Sequence, residues 1–214
     1  MGPFGWDYID ILSTFMHQGT RTLDIGTGGG EVFAELARPT DVALDVSLDM
    51  LKVAAANLDC FLIAGNISAL PFREASFDLV ADRHATPHPD EILRVLRPGG
   101  HFVTQQVGGR ICQSIFDAFG WGSNADLWRG RAEAKGEPYW DVEALTCYFE
   151  ASGCEILRRE EAVVDYEFLD EASLAFWLVN APLPEVPSPT RHSDILATLS
   201  RHTNWHSELL VVRR

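Results

Sequence analysis

A run of glycines follows an apolar segment near the amino end of the chain, in the sequence LDIGTGGG at residues 23–30. Glycine has no Cβ, so the backbone of such a turn can bend sharply and approach a ligand closely. A helix is expected to begin near Glu31, and its first N–H groups would be free to bind that ligand. The run therefore predicts a binding site for a nucleotide-like molecule, although dinucleotide-binding folds use similar glycines.

Two carboxylates near this run narrow the choice of ligand. Asp24 lies within the strand that precedes the glycines, where a carboxylate would attract an ammonium group and repel a pyrophosphate. Asp45 ends the next predicted strand, 19 residues after Gly26, and from there a carboxylate can bind both hydroxyls of a ribose. The second feature suits a nicotinamide dinucleotide equally well. Either aspartate could also simply cap a helix or close a turn.

Four motifs occur in order along residues 20–107, about two fifths of the chain: LDIGTGGG, ALDVSLDMLKVA, GNISALPFREASFDLV and LRVLRPGGHFV. This series resembles the class I S-adenosylmethionine (SAM)-dependent methyltransferases, in particular the branch similar to ubiquinone and menaquinone biosynthesis methyltransferases. Beyond residue 107 only the general plan of that family persists. The resemblance implies an enzyme that binds SAM and methylates a small molecule.

The same resemblance implies a role for each position that matches the family's motifs. The expected cofactor-binding residues are Asp24, Gly26, Thr27, Gly28, Gly30, Asp45, Val46, Ser47, Met50, Asn66 and Ile67. The loop residues would line the methionine part of SAM with Asp24 near its ammonium group, and Asp45 would hold the ribose. Val46, Ser47 and Met50 would flank the adenine. Asn66, where the family usually has aspartate, would accept a hydrogen bond from the adenine amino group, beside the Ile67 backbone.

The methyl acceptor is expected beside residues 82–88, because ligands of open α/β sheets bind outside the carboxyl ends of the strands. His84 and His88 are the candidate catalytic residues, since an imidazole can accept a proton or orient an acceptor near neutral pH. Both could instead be solvated loop residues or helix caps. Their spacing also suggests a metal pair, but Pro87 interrupts any helix that would place both on one face, so no metal is predicted.

Further residues are candidates for the wall of the acceptor pocket. Either Gln105 or Gln106 would point into this cleft, but not both, because alternate residues of a strand face opposite sides of the sheet. Trp6, Tyr8 and His17, together with aromatic residues of the 108–140 segment, could complete the wall. Such aromatic residues more often pack a core or an interface.

Composition limits the partners. The formal net charge of −14, from 31 acidic and 17 basic residues, repels phosphate backbones and anionic membrane surfaces, so nucleic acid is an improbable partner. The first 20 residues lack Lys and Arg, and no apolar stretch approaches the length of a membrane span. Four cysteines without a C-x-x-C pair indicate reduced thiols. We therefore predict a cytoplasmic protein that acts on a small molecule, with a homodimer as one assembly to test.

Short apolar runs alternate with amphipathic segments from Thr22 to Val107, which is typical of βαβ units. The predicted fold is α/β: a Rossmann-like, doubly wound, seven-stranded, mostly parallel sheet with helices on both faces and an antiparallel last strand. The predicted strands are residues 22–26, 42–46, 61–64, 77–81, 101–107, 154–168 and 206–212. The predicted helices are residues 30–37, 48–58, 89–96 and 171–180, with one more that Asp141 caps and Gly153 closes.

A single domain over residues 1–214 is the expected organisation. Its parts would be an N-terminal helix in 1–20, a SAM-binding half in 21–107, a covering segment in 108–140, and a C-terminal half in 141–214 with an insertion at 169–205. Three other functions stay open at this point. They are methylation of an rRNA base, NAD-dependent oxidation and reduction, and SAM binding without catalysis.

Overall fold

The computed structural model describes residues 4–214. Its helices and strands, in chain order, are α1 (Tyr8–Ser13), β1 (Thr22–Ile25), β2 (Val42–Asp45), α2 (Leu48–Asn57), β3 (Phe61–Ala64), β4 (Phe77–Arg83), α3 (Pro89–Val95), β5 (Leu96–Val107), α4 (Gln113–Phe119), α5 (Asn124–Lys135), α6 (Val142–Ala151), β6 (Glu155–Glu167), α7 (Glu171–Asn180), α8 (Ser193–Thr198) and β7 (His202–Arg213). Within this described part, no helix is long and apolar enough to cross a membrane.

The seven strands form one sheet in the order β3-β2-β1-β4-β5-β7-β6. β1 pairs in parallel with β2 and β4, β2 with β3, and β4 with β5. β7 runs antiparallel to β5, because Gly99 N bonds to Arg214 O at one end while Gly108 N bonds to His206 O at the other. The predicted Rossmann-like sheet with its antiparallel last strand is confirmed. The strand order reverses between β1 and β4, and a crevice opens at the carboxyl ends of such strands.

Continuous burial explains why the first strands form the centre of the sheet. Every residue of β1 is buried, as are the first three residues of β2 and most of β4. Strands covered on both faces are typical of parallel sheets. Local signals set the helices between them: Ser47 caps α2 by accepting a hydrogen bond from Met50 N, and Pro89 occupies the first turn of α3.

The chain separates into two compact units. The first comprises Met1–Gln106, Trp140–Glu160 and Glu208–Arg214, and the second comprises Val107–Tyr139 and Glu161–Ser207. The core of the first unit contains Leu23, Ile25, Val80, Phe102 and Phe149, all with no exposed surface. The second unit has its own core, which includes Ile111, Ile115, Phe116, Phe168 and Leu178. That the whole chain acts as one domain stays a prediction.

The helix predicted at 30–37 is wrong. This segment holds only a single 3-10 turn, Phe33–Glu35. Gly30, at the start of the segment, has a φ of 79°, which lies outside the helical region, and Pro39 disfavours helical geometry at the residue before it. The glycine run is therefore not followed by a full helix N-terminus.

Smaller differences concern the ends of elements. The N-terminal helix covers only Tyr8–Ser13, and the part of the 1–20 prediction on residues 1–3 lies outside the described residues. β5 begins at Leu96 instead of residue 101, because Leu96 pairs with Phe77 before a shift in register. β4 continues to Arg83, two residues beyond the predicted end, and β7 begins at His202. Neighbouring strands supply partners that local sequence patterns do not reveal.

Both close packing and backbone conformation require glycine at position 30. Its φ is 79°, and a Cβ added there would lie 2.7 Å from two side-chain carbons of Leu58. Leu58 is itself buried, directly after α2. Gly153 has the same φ of 79°, but a Cβ added there would meet nothing within 4 Å. Substituting each glycine by alanine therefore distinguishes the free-energy cost of backbone strain, present at both, from that of steric overlap, present only at Gly30.

Gly30→Ala should lower the free energy of unfolding by about 2–5 kcal/mol, the sum of left-handed strain and overpacking against Leu58. Gly153→Ala should cost only about 1–2 kcal/mol, because strain is its only penalty. Urea denaturation of the two variants beside the unmodified protein measures both values. Equal losses in the two variants would show that the contact with Leu58 contributes nothing.

Candidate functional site

The glycine turn leaves β1 and folds back along β2. Gly26 N and Thr27 N both donate to Leu44 O, at 2.8 Å and 3.0 Å. Gly26 has a φ of 69°, and a Cβ added to it would lie 2.4 Å from the Cβ of Ala85. The turn therefore needs glycine at this position to let the segment after β4 approach. A Cβ added to Gly28 would meet only Met50 Cε, at 3.7 Å, so that side of the turn is open.

A cavity of about 240 Å³ lies beside this turn in the first unit. It is lined by Tyr8, Ile9, Leu12, Asp24, Gly26, Thr27, Gly28, Gly29, Glu31, Val32, Phe33, Met50 and Arg83. Among the predicted cofactor-binding residues, the structure brings Asp24, Gly26, Thr27, Gly28 and Met50 to this cavity. The predicted residues that do not line it are Gly30, Asp45, Val46, Ser47, Asn66 and Ile67.

Asp24 is the principal charged group of the cavity wall. Its side chain is buried, and no lysine, arginine or histidine of residues 4–214 forms an ion pair with it. Burial raises the pKa of the Asp24 carboxyl to about 7, and the negative charge of Asp45 contributes to the shift. A buried carboxylate without a cation is costly, and a bound cation would relieve that cost. Asp24 is therefore suited to bind an ammonium group.

Asp45 joins the glycine turn to the start of α2. Its Oδ2 accepts a hydrogen bond from Gly28 N at 2.8 Å, and its Oδ1 accepts one from Ser47 N at 2.8 Å. A carboxylate has about four acceptor positions, so both oxygens can still accept from ligand hydroxyls. Ser47 itself caps α2, accepting from Met50 N at 3.3 Å. Asp45 thus has a structural role that does not exclude the predicted ribose contact.

Apolar side chains lie exposed just beyond the end of β2. Val46 is 74% exposed, Leu48 64% and Met50 40%. Of these three residues only Met50 lines the cavity, and exposed apolar residues at a cavity are a common feature of ligand sites. Across from them, Asn66 Oδ1 accepts a hydrogen bond from Ser68 N at 2.9 Å, and Ile67 packs against the core of the first unit. The Asn66 amide is thus partly engaged in its own turn.

Neither predicted catalytic histidine lines the cavity. His84 adopts a left-handed φ of 67°, and its N donates to Gln105 O at 3.0 Å. Although the residue is exposed, desolvation of its ring and the positive charge of Arg83 lower the pKa of His84 to about 4. Such an imidazole is neutral at pH 7 and a weak base. His88 lies at the residue before α3, where its carbonyl accepts from Ile92 N.

Trp6 and Gln105, both predicted for the pocket wall, contact each other but do not line this cavity. Trp6 Nε1 donates to Gln105 Oε1 at 3.1 Å, and both side chains are buried. Gln106 donates to Thr104 instead, at 2.7 Å. His17 does not reach the cavity that contains Asp24. It lines a separate cavity of about 390 Å³ with Phe15, Asp78, Arg97 and His101, among others.

Three polar residues at or near the cavity were given no individual role by the sequence analysis. Arg83 and Glu31 line it, and Asp82, directly before Arg83, is fully buried. Burial raises the pKa of Asp82 well above its usual value, and its Oδ1 accepts from Ala85 N at 3.0 Å. The hydroxyl of Tyr8, which also lines the cavity, is buried without a hydrogen-bond partner in the described part of the chain. Burial raises the pKa of Tyr8, as do the charges of Asp24 and Asp82.

Part of the chain is similar in sequence to known methyltransferases. Residues 23–104 match the family described as a methyltransferase domain. Demethylmenaquinone methyltransferase of Renibacterium salmoninarum is 38% identical over 99 residues, which cover 41% of each protein. The ubiquinone/menaquinone biosynthesis C-methyltransferase of Pseudomonas aeruginosa is 31% identical over 137 residues, which cover 53% of each. Residues 23–104 are therefore similar to methyltransferase domains.

Solved structures are similar to this chain in fold. An S-adenosylmethionine-dependent methyltransferase from Mesorhizobium loti superposes with a TM-score of 0.54 at 19% identity, covering 96% of both chains. The [4+2]-cyclase SpnF gives a TM-score of 0.58 at 18% identity, covering 96% of this chain and 79% of its own. The fold therefore hosts more than one chemistry, and the curated relatives are matched over only about half of their length or less.

Asp24→Asn should stabilise the ligand-free protein at pH 8. The folded-state pKa of about 7 lies above the ordinary value of 3.8, so stability is lost as pH rises between these values. A neutral amide of equal size removes that loss and should raise the free energy of unfolding by about 1–4 kcal/mol at pH 8. The gain should shrink at pH 5. Urea denaturation at both pH values measures it.

Asp59→Asn removes one negative charge from an exposed residue and is the matched control, with an expected change below about 0.5 kcal/mol. An Asp24→Asn variant that is destabilised at pH 8 would indicate that the carboxylate is already well compensated in the free protein.

Proposed function

We propose that this protein is a methyltransferase that binds SAM and transfers its methyl group to a small molecule. The observation that carries the proposal is the buried carboxyl of Asp24, which has no cation partner in the described structure and faces a cavity closed by the glycine turn. An amino-acid moiety brings an ammonium group, whereas a dinucleotide would bring a pyrophosphate that this carboxylate repels. The charge of the site therefore favours SAM over NAD.

The residues present fit the rest of such a ligand. The open side of Gly28 leaves room for backbone contact, and Asp45 retains free acceptor positions for ribose hydroxyls. The exposed apolar side chains Val46, Leu48 and Met50 offer a surface for a flat ring. Bound SAM supplies a methyl group on a sulfonium, which is already a strong electrophile. The chain's task is then to orient the acceptor, with the reacting atoms about 3–3.5 Å apart.

The acceptor is proposed to be a small molecule. A net charge of −14 disfavours nucleic acid, and two relatives are a demethylmenaquinone methyltransferase and a ubiquinone/menaquinone biosynthesis C-methyltransferase. A carbon acceptor loses a proton when it is methylated, so a base or a bound water is needed beside it. A demethylated quinone is thus the first acceptor to test. Cytoplasmic location and a homodimer stay predictions.

His84 and His88 stay proposals for the acceptor side. With a pKa of about 4, His84 is better suited to orient an acceptor as a neutral hydrogen-bonding group than to remove its proton. His88, beside α3, is then the stronger candidate for a base. If SAM turnover with an identified acceptor is unchanged in both His84→Ala and His88→Ala, neither histidine is catalytic.

Asp45→Ala should weaken SAM binding at least about tenfold, because two charge-assisted hydrogen bonds to the ribose are lost, each worth about 1.5–3 kcal/mol. Isothermal titration calorimetry with SAM and with NAD measures both affinities. Asp49→Ala is the matched control, since its carboxylate is 88% exposed and pairs only with Lys52. Binding of NAD in place of SAM, or equal SAM affinity in both variants, would contradict the proposed site.

A further inference from the structure

Arg83 lies on the same face of the sheet as Asp24. In the parallel register of β1 and β4, Asp24 pairs with Ala81, and Arg83 is two residues further along β4. Side chains two residues apart on a strand share a face, and the rise between them is about 7 Å. Both Asp24 and Arg83 line the same cavity. One wall therefore presents an acidic and a basic group, with the basic one nearer the carboxyl end of the strands.

Arg83 is half-buried without an ion pair among the described residues, whereas Arg21 and Arg73 of this unit, which also form no such ion pair, are exposed. Arg38 pairs with Asp41 at 2.9 Å, Arg94 with Glu91 at 2.6 Å, and Arg97 with Asp78 at 2.7 Å. Arg83 forms no ion pair and no side-chain hydrogen bond with any residue between 4 and 214. It is nevertheless half-buried at the cavity. A guanidinium held there without a carboxylate is available for an anionic ligand group.

We propose that Arg83 binds the carboxylate of the amino-acid end of SAM, while Asp24 binds the ammonium of the same end. This inference rests on the proposed function. An α-amino acid carries its ammonium and its carboxylate on the same carbon, so a wall with an acidic and a basic group can bind both. A guanidinium binds a carboxylate through two parallel hydrogen bonds, so the contact also fixes the direction of the methionine tail.

The Tyr8 hydroxyl supports this arrangement from α1. It is buried, borders the same cavity and has no hydrogen-bond partner in the described part of the chain. Asp24 and Arg83 both act on it electrostatically, so the three groups lie close together. A zwitterion between Asp24 and Arg83 would offer this hydroxyl an acceptor. Unpaired buried hydroxyls are rare, and one beside a cavity points to a ligand.

Decarboxylated SAM provides a direct test, because it retains the ammonium, ribose and adenine but lacks the carboxylate. Calorimetric titration of the whole chain with Arg83→Gln should show SAM affinity reduced about 10- to 100-fold. The affinity for decarboxylated SAM should change less than about twofold. Arg83→Lys should lie between, since lysine keeps the charge and loses the bidentate geometry.

Arg191→Gln is the matched control, because this arginine is 73% exposed and the substitution removes the same charge. Equal losses for both ligands in Arg83→Gln would show that Arg83 has a structural role, and no loss for either would show that it serves another ligand. Either result overturns the inference. If the unmodified protein binds neither SAM nor decarboxylated SAM, the proposed function has failed instead.

Discussion

A buried carboxylate with no cation partner in the described structure is the constraint on which the site depends. Asp24 is held by β1 at the centre of the sheet, where β2 and β4 pair with it on either side. Its pKa of about 7 shows that the fold bears the cost of a desolvated charge near neutral pH. Stability alone would favour a neutral residue, so the carboxylate is best explained by a ligand that neutralises it.

The turn beside Asp24 is shaped by packing on three sides. Ala85 presses against Gly26, Leu58 against Gly30, and Asp45 accepts a hydrogen bond from Gly28. Two glycines are thus needed because neighbouring side chains leave no room for a Cβ, and only the side at Gly28 is open. A rigid turn of this kind positions backbone N–H groups before a ligand arrives, which lowers the entropic cost of binding.

Most of the central sheet could be predicted from sequence, because buried parallel strands appear as short apolar runs such as Val42–Asp45, whose first three residues are buried. The helix predicted after the glycine turn is wrong, because Gly30 and Pro39 disfavour helical geometry at the two ends of that segment. Arg83 had no predicted role because its place beside Asp24 depends on the register between strands that are far apart in sequence. The ordinary pKa of histidine makes His84 and His88 candidates for catalysis, but desolvation lowers the pKa of His84.

Proton release on ligand binding tests the central claim most directly. At pH 6.5 a carboxyl with a pKa of about 7 is mostly protonated in the free protein, and it must ionise to bind an ammonium group. Calorimetric titration with SAM in two buffers of different ionisation enthalpy should therefore show release of roughly 0.7 protons per SAM bound, allowing for slight uptake by the amino group of SAM. Binding with no proton exchange, or with net uptake, would contradict the account.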